Sequence, residues 1–249
     1  MSNKLFFVPL FSFFFLLSSL QAHEPLIFHH VPKNGGTTLR ALLEIQFRKS
    51  EICPKYFWHE IVHEKNPEWY LPYKLIWGHH HFHYLRDVPG KRITFLREPI
   101  QRVLSAHQYW SEQFTDAKWS RVYAHNFSIA LGDPLEKMQN HQTLFLSSLN
   151  PRDASIPIEK HLESAKANLQ DNFFFVGITE KFDEGVQTLF KMLEFDPPPS
   201  APTLNSSERQ QYEASLIETL KTRNAADIEL YEFARDLYEK KFAPCQTTS

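Results

Sequence analysis

Leu26-Ile27-Phe28-His29-His30-Val31-Pro32-Lys33-Asn34-Gly35-Gly36-Thr37-Thr38-Leu39 sets the architecture of this chain. Leu26-Ile27-Phe28 is a short buried-strand signal, Pro32 to Gly36 a turn, and Leu39, Leu42, Leu43 and Phe47 recur at helical spacing between Thr38 and Lys49. A strand, a glycine turn and a helix therefore follow in order. At such a junction the orphan N–H groups and the positive end of the helix dipole favour an anion. Gly35 and Gly36 let the backbone approach a phosphate closely, Lys33 adds a point charge, and Thr37 and Thr38 add hydroxyl donors. Nucleotide triphosphatases place Lys directly before the Ser or Thr that holds magnesium. Here Lys33 precedes the glycines, which weakens an ordinary ATPase reading.

Three further apolar segments extend the pattern: Leu75-Ile76-Trp77, Ile93 to Leu96 and Phe173 to Ile178. Helical periodicity follows Pro99, covers Ile158 to Leu169 and Phe182 to Leu193, and closes with an amphipathic stretch from Ala225 to Phe242. Short strands alternating with longer helices predict an α/β fold, a P-loop-like three-layer domain whose mostly parallel central sheet is flanked by helices. Ligands of such sheets bind at the carboxyl ends of the strands. Asp196 to Asn205, rich in proline, reads as a surface loop.

Two of those strand ends carry chemistry. Arg97 ends the third strand, and Ser105 lies eight residues on, within the next helix, so a guanidinium fork and a hydroxyl can meet one phosphate. Trp77-Gly78-His79-His80-His81-Phe82-His83 holds four of the thirteen histidines. If the backbone stays extended there, His79, His81 and His83 share one face. Three imidazoles could bind zinc, yet this spacing offers no fourth ligand or second shell, so no metal is expected. A neutral imidazole suits proton abstraction at physiological pH. His79, His81 and His83 are the candidates. His59 with Glu60 is a further pair, read first as exposed helix residues.

The 249 residues suffice for one full core, and 42% of them are hydrophobic, which excludes a disordered chain. A net charge of −2 provides no general basic field, so nucleic acid is not an expected partner and any anion site must be local. Six of the 22 phenylalanines fall in the first fifteen residues. With Lys4, an apolar run from Leu5 to Leu17 and small residues up to Ala22, that stretch reads as a signal peptide or short membrane anchor. Residues 5–20 could associate with a membrane. The two cysteines, Cys53 and Cys245, allow at most one bridge, and free thiols are equally compatible. Asn126-Phe127-Ser128 and Asn205-Ser206-Ser207 fit the N-glycosylation pattern.

The segment Phe28 to Leu39 resembles the 5′-phosphosulfate loop of sulfotransferases, in particular the carbohydrate branch that includes the heparan sulfate 2-O- and 6-O-sulfotransferases. Arg97, Pro99, Arg102 and Ser105 are similar to the 3′-phosphate motif of that family, Arg-x-Pro-x-x-Arg-x-x-Ser. Val176 to Asp183 looks like its Val-Gly-Leu-Thr-Glu-x-Phe-Asp segment, and Leu230 to Ala234 like part of its terminal helix. The resemblance implies that 3′-phosphoadenosine 5′-phosphosulfate (PAPS) is the co-substrate, held by Lys33, Asn34, Gly35, Gly36, Thr37, Thr38, Arg97 and Ser105, with Asn205 on a loop closing over it. It implies no metal requirement, His79 as base at the Gly78-His79 pair with His81 second and His83 third, Lys33 at the bridging oxygen, and a glycan or other hydroxyl-bearing acceptor. Residues 23–249 would form one sulfotransferase domain in the secretory pathway, exported or membrane-associated; a bacterial periplasm and a Golgi-type lumen fit equally. A non-catalytic nucleotide- or glycan-binding descendant is the alternative, and a P-loop kinase ranks behind it. The oligomeric state is not legible.

Overall fold

The structure, a computed structural model, describes residues 24–113, 138–196 and 212–243. The N-terminal segment 1–22, Asn126, Asn205 and Cys245 lie outside the described residues, as does most of 112–131, the stretch expected to shape the acceptor site. Four strands, β1 (Leu26–His29), β2 (Leu75–Gly78), β3 (Lys91–Leu96) and β4 (Phe173–Ile178), form one sheet in the order β2-β1-β3-β4. All neighbours are parallel, with Phe28 beside Trp77 on one side and Ile93 on the other. Each strand coincides with an apolar segment read from the sequence.

Among the described residues nine α-helices accompany the sheet: α1 (Gly36–Glu44), α2 (His59–Val62), α3 (Phe82–Leu85), α4 (Pro99–Gln113), α5 (His141–Leu146), α6 (Ile158–Asp171), α7 (Phe182–Met192), α8 (Ala214–Arg223) and α9 (Ala225–Lys241). Strand alternation divides the core. Leu26 and Phe28 enter the main cluster with Leu39, Leu43, Phe175 and Leu189. Ile27 and Ile76 instead meet Cys53, Ile61, Leu85 and Val88 in a second cluster. Burial there pushes the Cys53 thiol up to about 11, which leaves it protonated at neutral pH.

The connection from β1 runs to β2 on one side, while that from β3 runs to β4 on the other. The crevice between the carboxyl ends of β1 and β3 is therefore the topological switch point of the sheet. Arg97 follows β3 directly, and Lys33 stands in the turn that leaves β1. No helix among the described residues is long and apolar enough to cross a membrane.

Candidate active site

The turn after β1 is built on left-handed backbone: φ is 71° at Lys33 and 74° at Gly35, on either side of Asn34. Such alternation points successive N–H groups into one concavity and forms an anion nest. Gly35 is the N-cap of α1, and no side chain caps that helix, so its leading amides are left for a ligand. Gly36 has a second reason to lack a side chain. A Cβ there would lie 1.9 Å from the ring of His30, over which the first turn of α1 is lowered. Thr37 is exposed and Thr38 half-buried on the same turn. The Lys33 ammonium lies 4.1 Å above the ring of Tyr109 on α4. The cradle fits a phosphate by backbone geometry, dipole and charge.

Arg97 stands beside it, across the switch point. Its guanidinium donates to the Lys33 carbonyl at 3.0 Å, so the two loops are joined. Ser105 is half-buried on α4. Arg102, the other basic residue of the 3′-phosphate resemblance, is not at the surface. It is fully buried, donates to the Met138 carbonyl at 2.7 Å and faces Asp227 at 3.9 Å. It braces α4 against α9 and does not meet a ligand.

The third loop carries the histidines. Extended backbone continues only to His79, which forms a bridge with Phe57, and α3 begins at Phe82. Phe82 and Leu85 are buried, and burying both on one turn coils the chain, so His79, His81 and His83 do not share one face as an extended reading expects. His83 turns to the Ser148 carbonyl at 2.9 Å. His81 stacks on Phe145, with ring centroids 4.5 Å apart. His80 is buried on the other side and donates to the Lys55 carbonyl at 2.9 Å. No group of three or more His, Cys, Asp or Glu side chains among the described residues has the arrangement of a metal site.

His79 is held at both ring nitrogens. Its Nδ1–H donates to the His30 carbonyl at 2.8 Å, which leaves the lone pair on Nε2, and that nitrogen accepts from the Tyr56 hydroxyl at 2.6 Å. The His30 ring packs beside it, centroids 4.6 Å apart, and His30 itself follows β1 into the phosphate cradle. Desolvation lowers the pKa of His79 to about 4 and that of His81 likewise to about 4, so both rings are neutral at physiological pH. Burial pushes Tyr56 up to about 12, so it remains a donor.

Tyr56 and its setting were not among the residues singled out from the sequence. Glu60, read there as one of a candidate pair, anchors Tyr56: its carboxylate accepts from the backbone N–H of Tyr56 at 2.9 Å and of Phe57 at 2.6 Å. The Tyr56 carbonyl accepts from the His79 N–H at 2.9 Å, and a Cβ on Gly78 would lie only 2.2 Å from that same oxygen. The glycine before the histidine is thus what admits the Tyr56 loop. Gln142 was also not singled out. It is fully buried and reaches both anion loops, accepting from Asn34 at 2.8 Å and from the Arg97 N–H at 3.0 Å.

A parallel sheet with a phosphate-cradle turn at its switch point, a cationic loop beside it and a neutral imidazole at the end of the neighbouring strand is the layout of a P-loop-like group transferase. The chain matches the sulfotransferase family over residues 20–234, and it belongs to that family. Heparan-sulfate 6-O-sulfotransferase 2 of Danio rerio is 28% identical over 60% of this chain and 38% of its own length. The chain therefore spans well under half of that relative. Among solved structures, the sulfotransferase from Alicyclobacillus acidocaldarius superposes with a TM-score of 0.53 at 14% identity, covering 90% of this chain and 99% of that one. That likeness shows a shared fold.

Proposed function

We propose that the chain moves a sulfuryl group from PAPS to a hydroxyl of a carbohydrate. The observation that carries this reading is the meeting of Lys33, Arg97 and His79 at adjacent strand ends, with His79 in the tautomer that leaves a lone pair on Nε2. The cradle of residues 33–38 would hold the 5′ side of the donor, and Arg97 with Ser105 the 3′-phosphate. When bound, the donor supplies an activated sulfuryl group with a good leaving group.

What the chain contributes is position and charge. Lys33, whose ammonium rests over the Tyr109 ring at the cradle, would supply positive charge where negative charge builds as the sulfur–oxygen bond breaks. His79 Nε2 accepts the proton of the attacking hydroxyl, while the His30 carbonyl holds Nδ1–H and steadies the imidazolium that forms. The likeness to a heparan-sulfate sulfotransferase favours a glycan acceptor. Residues 1–22 would direct the chain into a secretory route, and residues 23–249 would act as one catalytic unit.

Transfer of labelled sulfate from PAPS to a panel of glycans, phenols and peptides tests the proposal. Label on a glycan hydroxyl is the expected result. Tight donor binding with no transfer to any acceptor would instead favour a non-catalytic binding protein.

A further inference from the structure

Gln142 sits on the first turn of α5, remote in sequence from both anion loops, and its side-chain amide is spent on them. Oε1 accepts from Asn34 Nδ2 at 2.8 Å and from the Arg97 N–H at 3.0 Å, and Nε2 donates to the Arg97 carbonyl at 3.0 Å. An amide offers two lone pairs and two protons, so three of its four bonding positions are committed to the two loops. Asn34 Nδ2 also donates to the Phe95 carbonyl at 2.7 Å, which pins the cradle to the end of β3.

The side chain lies where β1 and β3 part, and its Oε1 takes a donor from each of the two loops. It is held from behind. The N–H groups of Gln142 and Thr143 donate to the two oxygens of Asp227 at 3.1 and 2.8 Å, and Asp227, fully buried on α9, faces Arg102. A buried amide with fixed neighbours on every side cannot change length or direction without breaking several of these bonds.

We propose that Gln142 is a positioning residue that fixes the separation of the two anion loops and thereby makes the site selective for a nucleotide bearing phosphates at both its 3′ and 5′ positions. The inference rests on the reading of those loops as a bisphosphonucleotide site. Its logic is that of a two-point clamp. Each loop can hold one phosphate alone, but binding of the first helps the second only if the loops already stand at the spacing the ligand demands. Gln142 supplies that spacing. It acts through Asn34 and the Arg97 backbone and touches no reacting atom.

The test is calorimetric titration of the full chain with adenosine 3′,5′-bisphosphate, adenosine 5′-monophosphate and adenosine 3′-monophosphate. Wild type is compared with Gln142→Met, which keeps the shape and removes the bonds, and with Gln142→Glu, which keeps the acceptor and loses the donor. Wild type is expected to favour the bisphosphate over the better monophosphate by roughly a hundredfold, the low end of what linked sites give. In Gln142→Met that advantage should fall by about tenfold, the loss expected on removing hydrogen bonds of this kind, while each monophosphate binds nearly as in wild type. Gln142→Glu should fall between and stands in should Gln142→Met fail to fold, as judged by circular dichroism. An unchanged ratio in a folded variant overturns the inference, as does equal weakening of all three ligands, the mark of a general stabiliser. If wild type itself gains nothing from the second phosphate, the reading of the loops fails, whatever Gln142 does.

Discussion

The hydroxyl of Tyr56 donates to Nε2 of His79 across 2.6 Å, so the lone pair of that imidazole is already engaged. With His79 as the proposed base, an attacking hydroxyl would have to take the place of Tyr56. Replacing His79 by alanine should lower turnover by ~10²–10⁴, the range for a lost general base, with bisphosphate affinity retained. Unchanged sulfation by that variant would remove His79 from the reaction.

Tyr56→Phe keeps the ring, whose centroid is 5.0 Å from that of Trp77, and deletes only the donor. A hydrogen bond donated to the neutral imidazole favours that form and depresses its pKa, so deleting it lets the pKa rise. The acid limb of kcat/KM should move to higher pH, and KM for the acceptor should fall because no hydroxyl competes for Nε2. Superimposable pH profiles for the two proteins would contradict the arrangement.

Arg97 serves both loops, with its guanidinium on the Lys33 carbonyl at 3.0 Å. Arg97→Ala should therefore weaken adenosine 3′,5′-bisphosphate by about tenfold to a hundredfold, the usual worth of a charged hydrogen bond. Calorimetry decides, and equal affinity would show that the second anion site lies elsewhere.

Gly36→Ala puts a methyl group into the His30 ring, which is packed between Phe28, 5.3 Å away, and His79. Overpacking of this kind costs about 1–3 kcal/mol, to be read from urea unfolding. Displacing His30 also disturbs the carbonyl that orients His79, so turnover should fall along with stability. A variant as stable and active as wild type would mean that α1 can rise off His30 freely.

Acid should unfold this protein early. Burial lowers the pKa of His29 and of His80 to about 3, and those of His30 and His141 well below the ordinary value. In the unfolded chain these rings titrate near 6.5, so below that pH the unfolded state binds more protons and stability falls as pH drops. The loss continues until the folded rings themselves protonate. Each fully buried ring contributes a slope of about 1.4 kcal/mol per pH unit in that window. Urea unfolding at pH 7.5, 6.5 and 5.5 should show a loss over the first step and one about threefold larger over the second. A flat profile across both would mean that these histidines are not held neutral.

The sheet and the positions of the two loops proposed to hold the donor were legible because their signals are local: an apolar run that ends in glycines or in an arginine, with a helix behind it. The residues that join the loops carry no such signal. Gln142 lies 108 positions from Asn34 and Asp227 lies 85 from Gln142, and each takes its role from what the topology sets beside it. Arg102 matched the 3′-phosphate resemblance by spacing, yet its helical position turns it inward to Asp227. The histidine run misled for a physical reason, since Phe82 and Leu85 seek the core on one helical turn and carry His83 away from His79.

The brace that Asp227 provides has a consequence for synthesis. Arg97 precedes Asp227 by 130 residues (227 − 97), so a ribosome exposes both loops long before the carboxylate that steadies Gln142 has been made. The emerging chain owns the parts of a donor clamp without its spacer. On the proposed role of Gln142, the gain from holding both phosphates of a bisphosphonucleotide together is thus deferred to the last stage of folding, and a partly made polypeptide would bind the donor no better than a single loop does.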